Sequence, residues 1–475
     1  MSSDTGPISV THFDDPLEYR VDHVVLRVDA DIDLLALHRA YPDRYPHLLE
    51  SVACGNPQAR FDILFAFPGS TLVLDTSGTV TLDEQKSGDQ TFLAGFDAWW
   101  QRERCMSDSP LQLPFRGGWF VYLGYELVAE IEPRLRLKRD TGPLPAAFAT
   151  RFYAAVIRDR VQRSVSIVAE PGHEGKVRQI DEDLRISAGG RTAAGGAPVF
   201  DVTEDNPGTF LRQVERIKRY IRAGDVFQVN LSRAWRMVSR TDFSAANVYS
   251  RLRTTNPAPF SGIATWRDCA ILSSSPERLV QVVGDTIQTR PVAGTRPRGA
   301  TVEDDARLSA SLLAHPKERA EHIMLIDLER NDLGRVCKPG TVHVDELMAL
   351  ESYAHVHHIV SNITGRLNEY VTPGQVIRAV FPGGTITGCP KIRCMEIIAE
   401  LEQKARGPYT GSFGYINRDG SLDMNILIRT IVKEGRHLTL RAGAGIVADS
   451  VPRKELDETR AKARGLLLAI DEETR

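Results

Sequence analysis

The stretch AVFPGGTITGCPKIRCMEIIAELE, residues 379–402, decides how the rest of the chain is read. Its start reads as a short strand, Phe381-Pro382-Gly383-Gly384 breaks the chain, and Pro390 stands at a first helical position, where its missing N–H costs nothing. Beyond it Ile392, Met395, Ile398 and Ala399 recur at helical spacing and turn one face inward. Cys389 is a poor N-cap, so unless Thr387 folds back, the first-turn N–H groups of Lys391 and Ile392 lack a side-chain acceptor. Unpaired donors at the positive end of a helix suit an anionic ligand. Taken alone, the same residues also fit an ordinary strand-turn-helix corner, which a single glycine turn leaves favoured.

A chain of 475 residues is too long for one ordinary core and implies two domains or one large composite. Its 42% hydrophobic and 25% charged residues are those of a globular protein. With 59 Lys+Arg against 62 Asp+Glu, the net charge of −3 offers no general attraction to nucleic acid, so any anion site has to be built locally. Cys54, Cys105, Cys269, Cys337, Cys389 and Cys394 show no CxxC pair and no nearby histidine at ligand spacing, which fits a reducing, cytoplasmic location. No signal-like N-terminus and no apolar run long enough for a membrane are expected from the sequence.

Apolar runs broken by turns fill the first part, from VDHVVLRVDA through RFDILFAFPG to TVTLDE, and FRGGWFVYLGYELV adds more strand. Small residues in PGHEGK and SAGGRTAAGGAPV mark a linker or surface loop at 176–205, between an N-terminal companion domain at 1–175 and a catalytic domain at 206–475. Past it, Phe210, Val214, Ile217 and Ile221 share a helical face, and one long helix is expected from about Ser309 to Asp332. Near the C-terminus three antiparallel strands precede a last helix whose packing stripe is Leu456, Thr459, Ala463 and Leu467. Helices and antiparallel strands in blocks predict an α+β fold.

Two acidic residues lie off the apolar faces of their helices. Glu321 precedes Leu325 by a turn on a helix whose burial comes from Ile323, Leu325, Ile326 and Leu328; Glu458 stands off the last helix's stripe, as does Glu455. Glu458 and Lys462 fit an i,i+4 surface pair, whereas carboxylates from two helices, completed by water and a ligand carboxylate, suit Mg²⁺. Glycine strings at 290–299 and 441–447 allow close backbone approach to a ligand. Arg429, read as part of the strand MNILIRTI, needs a partner, and a ligand carboxylate is one.

Taken in order, SSSPERL, PVAGTRPRG, ERAEHIMLIDLERNDLGRV, YAHVHHIVSNITGRL, FPGGTITGCPKIRCMEIIAELE, GSFGYINRDGSLDMNILIRTI and AGAGIVADSVPRKELDETRAKA resemble the chorismate-utilising enzymes. The resemblance is dense over 205–472. It implies antiparallel sheets packed face to face with helices on the outside. LLES at 48–51, RFDI at 60–63 and FRGGWFVYLGYEL resemble the companion domain of the amine-adding members.

That resemblance implies specific roles. Glu321 and Glu458 match the glutamates that hold Mg²⁺ against the ring carboxylate of chorismate, and Lys462 matches a lysine beside the metal. Tyr409, Arg429 and Gly445 match groups that meet the second carboxylate, with Thr295, Thr387, Gly388 and Gly443 in the same substrate-binding set. Glu277 matches the general acid/base and His358 a histidine near the leaving hydroxyl, although histidines in HVHH also fit plain backbone pairing. Water-adding relatives carry a lysine where this chain has Gln228, which points to ammonia as nucleophile; no glutaminase nucleophile is recognisable, so a separate glutamine amidotransferase is implied. FPGGTITG, VHHIVSNIT, FQVNLS, GSFGY and RFDI resemble the branch that forms 4-amino-4-deoxychorismate, for para-aminobenzoate and folate. Ala293 in PVAGT follows instead the anthranilate-forming pattern, where the other branch often has a lysine. A third alternative is a non-catalytic sensor of chorismate or tryptophan, with LLES as part of a tryptophan pocket; the set Glu277, Glu321, His358, Arg429 and Glu458 speaks for an enzyme.

Overall fold

The computed structural model describes residues 18–19, 23–28, 32–53, 59–89, 91–105, 113–188, 199–299, 301–352 and 356–470. Within them 23 strands join one curled sheet whose pairings run antiparallel, with eleven α-helices packed on it, which is the α+β class expected. The longest pairing in the C-terminal half sets Gln228–Ser239 against His437–Ile446, from Val229↔Ile446 to Val238↔His437. These two strands form the floor on which the last helix, Pro452–Leu468, packs through Leu456, Thr459, Ala463 and Leu466. Leu466 takes the place expected of Leu467.

The N- and C-terminal parts share the sheet and do not form separate cores. Gly118–Leu123 pairs with Ser412–Asn417, and His47–Glu50 pairs with residues 261–264. Aromatic rings fill the space between the two parts: Phe65, Phe120, Phe148 and Phe152 from the first half meet Phe413 from the second, with Phe120 and Phe413 centroids 5.8 Å apart. Rings of this size bury large apolar areas, so the two halves are held by core packing in addition to ladder hydrogen bonds.

Three expectations are corrected. The 176–205 linker contains most of a helix, Glu174–Ala188, and a strand, Phe200–Glu204, that pairs with Trp235–Ser239; residues 189–198 lie outside the described residues. Val177, Ile180 and Leu184 bury one face of that helix, a periodicity hidden by the small residues on both sides. The long helix is two helices, Val302–Ala314 and Pro316–Gly334, because Pro316 has no N–H to continue the first and starts the second at its first turn.

The third correction concerns the central stretch. Its first residues end a helix, Pro373–Val380, closed at its start by a capping box of Thr372 and Gln375. Two cis peptides, Phe381–Pro382 and Cys389–Pro390, bracket the glycine turn, and Pro390 is itself the N-cap of the helix Lys391–Glu402, without a side-chain cap. That helix buries Cys394, Met395, Ile397, Ile398 and Leu401, while Ile392, expected inside, is 43% exposed.

Candidate active site

A cavity of about 790 Å³ opens where the strands Gln228–Ser239, Val292–Pro297 and His437–Ile446 meet the helices Pro316–Gly334 and Pro452–Leu468. Glu321 and Glu458 both line it, one from each helix. The first helix buries His322, Leu325, Ile326, Glu329 and Leu333, a true 3.6-residue stripe; Ile323, expected within it, is half exposed, and His322 sits inward with Nε2 2.7 Å from Ser361 Oγ. Rotating the stripe in this way turns Glu318 and Glu321 to the cavity side. Glu318 and Glu455 line the cavity as well, each three residues before its expected partner. Sequence reasoning missed Glu318 as a site residue; the signal was the E-x-x-E spacing repeated on both helices. Glu318 Oε1 accepts from Arg296 Nη1 at 3.1 Å. Glu458 Oε1 lies 2.7 Å from Lys462 Nζ, which also donates to Gly443 O at 3.0 Å, so the surface-pair reading and a place on the cavity wall hold together.

Glu277 sits behind the wall formed by Pro276, Val292 and Thr385. It is 5% exposed, and its Oε1 accepts from Val292 N at 3.4 Å. Burial pushes its carboxyl up to about 8, against the neighbouring Thr385 hydroxyl and the Val292 N–H, so it holds a proton near neutrality. His358 faces the same cavity from the strand Val356–Arg366, and burial, reinforced by the charge of Arg429, brings its imidazole down to about 4. Its Nδ1 lies 3.2 Å from Gly294 O. A carbonyl only accepts, so Nδ1 carries the hydrogen and Nε2 of this neutral ring is an acceptor.

Arg429 is not on a regular strand. The run MNILIRTI divides into Leu422–Asn425, paired with Arg278–Val282, and Thr430–Glu434, paired with Cys269–Ser273. Arg429 occupies the break at φ +53°, a left-handed conformation that is costly for a side chain as large as arginine. The turn places its side chain on the cavity wall, where burial lowers the guanidinium pKa and the charge of Glu277 opposes that effect. Among the described residues no hydrogen bond or ion pair engages the guanidinium.

Gln228 and Gly445 line the cavity, as does Asn230, which sequence reasoning did not single out. The side-chain oxygens of Gln228 and Asn230 are both buried and without a hydrogen-bond partner among the described residues. The glycines serve close approach: a Cβ on Gly445 would lie 2.5 Å from Gln228 Nε2, and one on Gly443 would lie 2.6 Å from Tyr409 Oη and 2.8 Å from Asn230 Oδ1. Tyr409 thus stands one layer behind the cavity, buried, its hydroxyl pushed up to about 12 by burial. Gly388 pairs with Val229 at φ +130° and is wall backing and not lining. Thr387 Oγ1 donates to Gly383 O at 3.0 Å or Gly384 O at 3.2 Å, closing its own turn. The backbone of Thr295 pairs with that of His358, and its side chain lies outside the described residues.

The helix start at Pro390 is not aimed at this cavity. Of residues 379–402 only Thr385 lines it, while Pro390, Lys391 and Ile392 line a separate groove beside Phe227 and Asp327, and Lys391 pairs with Asp332. The stretch supplies the cavity with a turn and not with a helix dipole. A third cavity, about 700 Å³, is lined by Leu49, Glu50 and Ser51 from LLES together with Pro259, Phe260 and Ser261.

Residues 54–468 match the model of the chorismate binding enzymes. The chain belongs to that family. It is 44% identical over 367 residues to an anthranilate synthase component I-like protein of Synechocystis, covering 76% of this chain and 74% of that one. An anthranilate synthase component 1 of Bacillus caldotenax is 36% identical over 489 residues, 96% and 95% of the two chains, and an aminodeoxychorismate synthase component 1 of Bacillus subtilis is 39% identical over 442 residues, 89% and 91%. In structure the chain resembles anthranilate synthase component I from Streptococcus pneumoniae, with a TM-score of 0.76 at 30% identity over 87% of this chain and 93% of that one. It is therefore a chorismate-utilising enzyme of the anthranilate or aminodeoxychorismate synthase type.

Proposed function

We propose that the chain converts chorismate and ammonia to 4-amino-4-deoxychorismate, with ammonia delivered by a separate glutamine amidotransferase. The observation that carries the chemistry is the pairing of a buried carboxyl just behind the cavity wall that keeps its proton near neutrality, Glu277, with an arginine on that wall, Arg429, whose guanidinium no hydrogen bond or ion pair engages among the described residues. Arg429 meets a substrate carboxylate, and a charge-assisted hydrogen bond of this kind is worth about 1.5–3 kcal/mol. Glu277 gives its proton to the ring hydroxyl, which leaves as water, while ammonia forms the new bond to the ring and releases a proton that restores the acid. Neutral His358 accepts at Nε2 and orients the hydroxyl. Glu321 and Glu458 fit Mg²⁺, which takes one or two carboxylates and completes its shell with water and substrate oxygens. When bound, such an ion would neutralise the ring carboxylate.

Gln228 and Asn230 support ammonia over water as nucleophile because neither side chain is a base, which attack by water needs and attack by neutral ammonia does not, while their amide oxygens, without a partner among the described residues, can accept from an ammonia N–H. Ala293 favours the second reading, anthranilate formation: it lines the cavity and offers no amine to attack the ring first. Incubation with chorismate, ammonium and Mg²⁺, followed by mass spectrometry and fluorescence of the products, separates the two. 4-Amino-4-deoxychorismate with its enolpyruvyl group intact is expected; anthranilate and pyruvate alone would transfer the assignment. We also assign tryptophan to the cavity at Leu49–Ser51, and a calorimetric titration without heat would remove it.

A further inference from the structure

Glu329 is 3% exposed on the helix Pro316–Gly334, and its two oxygens are divided between the two walls that enclose Glu277. Oε1 accepts from Gly384 N at 3.1 Å, and Gly384 is followed by Thr385, which lines the cavity and lies against the Glu277 carboxyl. Oε2 accepts from Thr289 Oγ1 at 3.2 Å; Thr289 also lies 3.0 Å from the carbonyl of Leu279, two residues after Glu277. Thr289 leads in turn to Val292, whose N–H reaches Glu277. Glycine eases the approach at 384, where a Cβ would lie 2.5 Å from Leu328 Cδ2 and 3.1 Å from Glu329 Oε1, so that a larger residue would displace the Leu328 side chain and press on the carboxylate. No step of the reaction above uses Glu329; a carboxylate so deeply buried is costly unless it is hydrogen-bonded or paired, and here the Gly384 N–H, the Thr289 hydroxyl and the charge of Lys391 supply that support.

We propose that Glu329 is a positioning residue that clamps the Gly384–Thr385 turn and the Thr289 strand around Glu277 and, by its own negative charge, keeps the proton on that acid. The inference rests on the reading of Glu277 as proton donor. Two carboxyls in one low-dielectric niche do not ionise together. Burial lifts both carboxyls above the usual range, and the charge that Glu329 carries when ionised raises Glu277 further, which favours the proton on Glu277. The other charges are accounted for: Asp332 and Lys391 face Glu329 with opposite effects, and Lys462 and Arg429 face Glu277 as cations that favour its ionisation. Against two cations, Glu329 is the one negative charge identified as acting on Glu277 among the described residues.

The test compares wild type with Glu329→Gln, which keeps the shape and an acceptor and removes the charge. Infrared titration without substrate follows the protonated-carboxyl band assigned to Glu277 by its loss in Glu277→Gln, and the pH profile of kcat/KM is measured beside it. In Glu329→Gln the Glu277 titration and the basic limb both move to lower pH, so the ratio of activity at high to neutral pH falls about threefold, the size of a half-unit shift. If that variant does not fold, Thr289→Val decides: losing the Thr289 hydrogen bond makes Glu329 harder to ionise, and the limb moves the same way by less. An unmoved titration in the folded variant overturns the proposal, even if melting temperature or kcat falls. Wild type that forms no aminated product would sink the functional reading instead, and the infrared titration still decides the role of Glu329.

Discussion

Arg406 and Arg429 are both arginines drawn into the C-terminal half, and their surroundings differ in one respect. Arg406 shares Glu402 with Arg441, at 2.6 and 2.8 Å, and spends its remaining donors on Ile386 O and Asn230 O at 3.1 and 2.9 Å. Burial pushes Glu402 up, but the two guanidiniums outweigh it and hold the carboxyl below its usual range. Every charge in that cluster is answered from within the chain. Arg429 stands in a strained backbone conformation with its side chain on the cavity wall and, among the described residues, no hydrogen bond or ion pair on its guanidinium. Satisfied charge is architecture; the unsatisfied charge is where a ligand belongs.

The contrast is sharpened most by the acid on the cavity side. Glu277→Gln is expected to lower kcat/KM by roughly 10² to 10⁴, the usual contribution of a positioned proton donor. The sign in wild type follows from the raised pKa: the protonated acid is the active form, so kcat/KM falls as pH rises through about 8, and this limb disappears in the variant. A limb that persists in Glu277→Gln would assign the acid to another group.

The sealed cluster should respond in stability. Glu402→Ala leaves two buried guanidiniums facing each other, and urea unfolding is expected to show a loss of about 3–5 kcal/mol, the cost of stranding a buried charge. A loss below 1 kcal/mol would erase the distinction drawn between the two arginines.

Arg429→Met tests the other side. The Michaelis constant for chorismate should rise by about ten- to a hundredfold, the equivalent of one charge-assisted contact at roughly 1.5–3 kcal/mol. The melting temperature should not fall, because a desolvated cation is removed. A clear drop in melting temperature would mean that Arg429 is structural, as Arg406 is. The smallest effect is expected at Lys462→Met, where the half-exposed pair with Glu458 contributes only about 0.2–0.5 kcal/mol to stability. Its effect on stability, measured by urea unfolding, should be near the limit of detection.

Much of the site was legible because its residues sit in long, specific motifs. Glu321, His358, Glu458 and Lys462 were placed by number, and all line one cavity. Helical faces were legible where apolar spacing was clean, as with Phe210, Val214 and Ile217, all buried. What failed shares a cause. MNILIRTI is rich in β-branched and other apolar residues and carries no glycine or proline, so nothing local announces that Arg429 flips to φ +53° and hands the chain from one partner strand to another; tertiary pairing decides it. His322 displaced Ile323 from the interior because Ser361 supplies a buried partner from a distant strand. The sequence reads residues 383–392 as an anion site through the N–H groups of Lys391 and Ile392, but those residues line a separate groove, because the turn and the helix start face different sides. What the turn brings to the cavity is Thr385, while its Gly384 N–H donates to Glu329 behind the wall.

The pairing of Gly118–Leu123 with Ser412–Asn417 has a consequence during synthesis. The first strand gains its neighbour Ala147–Asp159 soon after it is made, whereas the partner on its other side is translated roughly 290 residues later. At about 5–20 residues per second that is a delay of roughly 15–60 s. His47–Glu50 waits in the same way for residues 261–264. Through that interval the nascent chain carries two open strand edges beside a half-built aromatic core, a template for pairing with other chains. Made as two separate chains divided at the glycine-rich segment, residues 189–196, each part would keep these strand edges open until it met the other.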